Sequence, residues 1–103
     1  MKREVIFEYL DKGERKSINF ALDENGMTIL RKCLTEHGRY VNKGSKTIFI
    51  IESGDSQEVA KLIKNEIKSN PNFSFNRQII KLMKDRECWF IAEKELVKVK
   101  RAV

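Results

Sequence analysis

The sequence predicts an α+β two-layer sandwich, and three observations carry that prediction. First, residues 46–68 read KTIFIIES, then GDS, then QEVAKLIKNEIK, a strand run directly into a helix. Second, the first 22 residues hold two β-prone runs separated by a turn. Third, 103 residues at 41% hydrophobic content suit one domain built around one core. The reading is a single domain over 1–103, two helices packed on one face of a mostly antiparallel sheet, in the order β-β-α-β-α-β-β.

Taken in order, Val5–Leu10 is β-prone and Asp11-Lys12-Gly13-Glu14 supplies turn chemistry. Ile18, Phe20 and Leu22 then alternate with Ser17, Asn19 and Ala21, as a strand with one covered face does. These two runs predict a hairpin. Residues 23–37 predict the first helix, with Asp23 or Asn25 as cap and Gly38 just past its end; Met27, Leu30 and Leu34 keep helical spacing. Residues 39–45 read as a loop with a short extended piece at Tyr40-Val41. Ile48-Phe49-Ile50-Ile51 has no polar face, which predicts a strand covered on both sides. In the second helix Val59, Leu62, Ile63, Glu66 and Ile67 form one stripe, Asp55 to Glu58 has capping-box spacing, and Asn70-Pro71 ends the helix. The loop 70–76 carries Phe73 and Phe75 as anchors. Residues 78–83 fit either a strand or a helix stripe. The strand is favoured, because 84–87 makes a polar turn and Cys88-Trp89-Phe90-Ile91 is β-prone, which together predict a hairpin. Val97 and Val99, alternating with lysines, suggest a further edge strand.

Charge is unevenly spread. The chain carries +6, and residues 1–60 balance ten basic against ten acidic side chains, so the whole excess falls in 61–103. Such asymmetry suits a polyanionic partner, although a lysine-rich solvated surface explains it equally. The basic residues singled out are Lys61, Lys64 and Lys68 on one stripe of the second helix, with Lys98, Lys100 and Arg101 near the end. Arg77, Lys81, Lys84 and Arg86 lie between them. No RNA-binding signature accompanies them.

Two further stretches could carry chemistry. Ser53, Gly54, Asp55 and Ser56 lie between a strand end and a helix start, where backbone N–H groups attract anions; no GxGxxG or GxxxxGK[ST] is present, and Glu52 and Asp55 would repel phosphate. Glu36-His37-Gly38-Arg39-Tyr40 holds the only histidine, next to residue types that small ribonucleases use. A histidine before a helix-ending glycine has the simpler task of meeting the helix's negative end. Cys33 and Cys88 lack metal-ligand spacing and read as reduced thiols, so neither a metal nor a cofactor is expected. No run approaches the roughly 20 apolar residues of a membrane span. The N-terminal MKREVIFEYL does not read as a secretion signal, because an acid interrupts its apolar stretch.

The resulting expectation is a cytoplasmic, non-catalytic protein-binding or self-associating module. The alternative is a basic nucleic-acid-binding protein. A small endoribonuclease or nucleotide-binding enzyme comes third.

Overall fold

The computed structural model describes residues 2–51, 54–84 and 86–93. Strands β1 (Arg3–Asp11) and β2 (Glu14–Leu22) form the N-terminal hairpin. Lys12 and Gly13 both take positive φ, 53° and 83°, as the central pair of a type I′ turn must. Helix α1 (Glu24–His37) starts at Asp23, whose carboxylate accepts the Gly26 N–H at 2.7 Å. Glycine suits position 26 because a Cβ there would lie 3.1 Å from a Leu22 methyl.

Strand β3 (Gly38–Lys43) and strand β4 (Lys46–Ile51) make a second hairpin. The expectation of a loop over 39–45 is corrected here: the extended piece at Tyr40-Val41 continues into a full edge strand. Its side chains stay exposed from Arg39 to Lys43, so no burial pattern marks it in the sequence. Helix α2 (Ser56–Ser69) follows and ends at Asn70, whose N–H donates to the Glu66 carbonyl at 2.8 Å. Asp55 stands at its N-cap without a side-chain cap bond, so the expected capping box does not form.

The main departure is helix α3 (Arg77–Met83), where a strand was expected over Gln78–Met83. Asn76 caps it, accepting the Gln78 N–H at 3.0 Å. Ile79 and Met83, one helical turn apart, are both fully buried, with Ile80 beside them. Strand β5 (Cys88–Glu93) therefore has no hairpin partner in 78–83 and inserts between β1 and β4. The sheet runs β2-β1-β5-β4-β3, antiparallel throughout. The class is the α+β two-layer sandwich, with three helices among the described residues instead of two and the order β-β-α-β-β-α-α-β. The edge strand suggested around Val97 and Val99 lies outside the described residues.

Register places Val5, Phe7, Phe20, Phe49, Ile51, Cys88, Phe90 and Ala92 on one face of the sheet, under the helices. Met27, Leu30, Leu34, Val59, Ile63, Ile79 and Met83 close the core from above. Phe73 and Phe75 anchor the α2–α3 loop as expected, with Phe75 5.2 Å from Phe20 and 6.3 Å from Phe90, centroid to centroid. Ile48 and Ile50 point to the opposite face, where they are only partly covered. The expectation that the four-residue apolar run is covered on both sides is thus corrected. On that open face the Trp89 indole N–H donates to Glu8 Oε1 at 2.7 Å, and the Arg15 guanidinium lies 5.5 Å from the Trp89 ring centroid.

Candidate functional site

The replacement of a strand by α3 creates the most distinctive surface of the molecule. On α2, Lys64, Ile67 and Lys68 are spaced i, i+3, i+4, so they share one face. On α3, Arg77, Ile80, Lys81 and Lys84 repeat that spacing and add a further turn. The opposite faces of both helices are committed to the core through Val59, Ile63, Ile79 and Met83. The two remaining faces meet in a groove of about 230 Å³, with isoleucine at its floor and five cations around its rim.

Among the described residues, no acidic side chain lines this groove. Among the described residues, Lys64, Lys68, Arg77, Lys81 and Lys84 make no ion pair, and all five are exposed. Like charges set around an apolar wall reinforce one another's field and raise the local concentration of anions. The isoleucine floor adds a contact that a hydrated ion cannot use but an apolar side chain can.

Of the basic residues singled out in the sequence, Lys64 and Lys68 stand in the groove. Lys61 points elsewhere, to Glu58 at 3.6 Å, an exposed pair that contributes little. Lys98, Lys100 and Arg101 lie outside the described residues. Arg77, Lys81 and Lys84 are recognisable as basic in the sequence, but a strand would have scattered them; only helical spacing aligns them with α2. In the loop before α2, Ser53 lies outside the described residues and Gly54 is exposed. The Asp55 carbonyl accepts the Val59 N–H at 3.0 Å, and Ser56 is fully buried.

A second groove, about 180 Å³, separates α1 from α2. Its charges are mixed: Lys32 reaches Glu66 at 3.3 Å, and Glu66 also accepts the Asn70 side-chain N–H at 2.9 Å. Glu66, the polar member of the α2 stripe, thus ties α1 to the end of α2. Cys33 lies beneath this groove, and burial pushes its thiol up to about 11; the same cause pushes Cys88 up to about 12. Both are free thiols that stay protonated near neutrality, which makes them poor nucleophiles. His37 ends α1 and lines neither groove.

Among the described residues no three His, Cys, Asp or Glu side chains gather as a metal site, and every buried side-chain polar atom has a hydrogen-bond partner. No helix among them is long and apolar enough to cross a membrane. No protein-family model, curated protein or solved structure matches the chain.

Proposed function

We propose that this chain is a non-catalytic protein-binding module of the cytoplasm, and that the α2–α3 groove takes an acidic peptide segment bearing a large apolar side chain. The observation that carries the reading is the juxtaposition of five cations, unpaired among the described residues, with the Ile67–Ile80 floor. Paired helices that present such a groove suit a ligand with one apolar anchor flanked by carboxylates. The two free thiols suit a reducing compartment.

Nucleic acid is the competing ligand, since the +6 charge attracts phosphate as readily as carboxylate. Sequence-tolerant binding of single strands relies on aromatic stacking, and among the described residues no aromatic side chain lines the groove. Phe7, Phe73, Phe75 and Phe90 are buried in the core, and Trp89 lies on the other face of the sheet. Phosphate contacts alone would leave the isoleucine floor unused.

Fluorescence anisotropy with two labelled peptides tests the reading. Both are rich in Glu, and they differ only in a central Leu or Ala. The Leu peptide is expected to bind at physiological salt, the Ala peptide several-fold more weakly. The double variant Lys68→Glu, Lys81→Glu should lose about ten- to hundred-fold in affinity for the Leu peptide, because exposed charges are screened but still additive across one groove. Equal affinity for both peptides would remove the apolar floor from the argument. An unstructured RNA that binds more tightly than either peptide, and is lost in the double variant, would transfer the groove to nucleic acid.

A further inference from the structure

Asn25 and Gly26 form the chain's single Asn-Gly pair, and they stand in the first turn of α1. In an open chain this dipeptide is chemically labile. The Gly26 nitrogen, once it has lost its proton, can attack the Asn25 Cγ. The new N–Cγ bond closes a succinimide ring. The side-chain nitrogen leaves as ammonia, taking up the proton that Gly26 gave. Water then opens the ring at either carbonyl, which yields aspartate or isoaspartate. Glycine makes such a pair reactive, because no Cβ shields the attacking nitrogen.

The fold opposes this reaction in three ways. Asn25 is helical, and in that conformation the next backbone nitrogen is turned away from the side-chain carbon, so ring closure needs ψ to leave the helical range. The Gly26 N–H donates to the Asp23 carboxylate at 2.7 Å, a short charge-assisted bond. The negative charge of that carboxylate also disfavours loss of the proton on which attack depends. Gly26 is moreover buried, and a Cβ added there would lie 3.1 Å from one Leu22 side-chain carbon and 3.2 Å from another. That crowding hides the nitrogen and also accounts for the glycine. Packing demands glycine at 26, so the labile pair is built into the turn. Asn25 itself is exposed, so water reaches its side chain.

We infer that Asn25 is a latent modification site, deamidated only when the first turn of α1 opens, and that Asp23 is the group that keeps the turn closed. Helix ends are where local opening is easiest. Opening here releases two bonds together: the one from Gly26 to the Asp23 carboxylate, and the one from the Met27 N–H to the Asp23 carbonyl at 2.9 Å. Conversion replaces a neutral amide by a carboxylate and lowers the net charge of +6 by one. The two products differ in consequence. Aspartate in a first turn suits the positive end of the helix. Isoaspartate routes the backbone through its side-chain methylene, which breaks the helical spacing two residues before the buried Met27.

Incubation of the full chain at neutral pH, followed by mass spectrometry of the fragment that holds Asn25, reads the conversion of amide to acid. The native chain should convert about ten-fold or more slowly than the same chain unfolded in urea. Asp23→Ala removes the cap and should speed native conversion about five-fold. Asp23→Ser keeps a capping oxygen and should stay close to the parent. Asn25→Gln should abolish the signal at this position. Circular dichroism checks that the variants fold, and the comparison of native with unfolded parent holds whether or not Asp23→Ala does. A native chain that converts as fast as the unfolded one overturns the inference. A folded Asp23→Ala variant that converts no faster than the parent overturns it equally; a slower one would make the carboxylate the base of the reaction and not its guard.

Discussion

Ile50 and Ile51 are sequence neighbours with opposite fates, and replacing each by alanine measures how far one side of the sheet is closed. Ile51 is fully buried beneath the helices. Ile51→Ala removes three carbons, worth about 0.8 kcal/mol each, and leaves a cavity that adds to the loss, for a total of about 3–4 kcal/mol. A domain of this size has about 5–15 kcal/mol to lose, and each kcal/mol lowers the melting midpoint by about 4–8 °C, so a fall of roughly 15–25 °C is expected. Ile50 points to the open face beside Trp89. Water fills the space that its side chain vacates, so no cavity term arises, and Ile50→Ala should cost about 1 kcal/mol. Both residues sit in the same strand, so the lower β-propensity of alanine largely cancels in the comparison. Urea denaturation followed by circular dichroism, at protein concentrations too low for self-association, gives both values. If the two variants lie within about 0.5 kcal/mol of each other, the four-residue run is covered on both faces and the one-sided sheet is refuted.

Asn76→Ala should cost about 1 kcal/mol by removing the cap of α3, and it should weaken peptide binding in proportion to the loss of α3 order; an unchanged melting midpoint would show that α3 is held by packing alone. Cys33 and Cys88 predict an alkaline loss of stability. Their folded-state values, about 11 and about 12, exceed the ordinary 9.0. Below that ordinary value both states keep the proton and the contribution is whole. Above it the unfolded chain ionises first, and stability falls as pH rises toward the folded values. Unfolding free energies measured from pH 8 upward should decline, and native thiols should react far more slowly with a disulfide reagent than the same thiols in urea; fast native reaction at pH 8 would refute the burial argument.

The sequence made the class legible through the residues that alternate or repeat cleanly. Ile18, Phe20 and Leu22 announced a strand with one covered face, and Met27, Leu30 and Leu34 announced a helix; both hold. Asn70-Pro71 stops α2 because a proline disfavours the helical conformation of the residue before it, and Asn70 is extended (φ −124°, ψ 93°). The strand β3 was not legible because every side chain from Arg39 to Lys43 faces water, so tertiary pairing, not burial, makes it extended. Residues 78–83 are ambiguous in the sequence because Ile79, Ile80, Leu82 and Met83, broken only by Lys81, fit both periods. Two local signals favoured the helix: Asn76 in capping position, and isoleucine and methionine at 79 and 83. The groove was hidden by the same choice, since Arg77, Lys81 and Lys84 align only at helical spacing. The open face was hidden by treating Ile48 to Ile51 as one unit when its members divide between two environments.

The place of β5 bears on how the chain reaches its fold. Residues 88–93 supply the middle of the sheet, yet they follow both hairpins and all three helices in sequence. The pairing of Val5 with Ala92 closes a loop of most of the chain. Until β5 arrives, β1 and β4 each present an unsatisfied edge with Phe7 and Phe49 uncovered, and nothing joins the two hairpins into one sheet. Folding is therefore gated by a late, long-range docking event, of the kind that slows sheet proteins to milliseconds or longer. During synthesis the nascent chain must hold two sticky half-sheets apart until β5 emerges, which makes that interval its period of greatest exposure to aggregation.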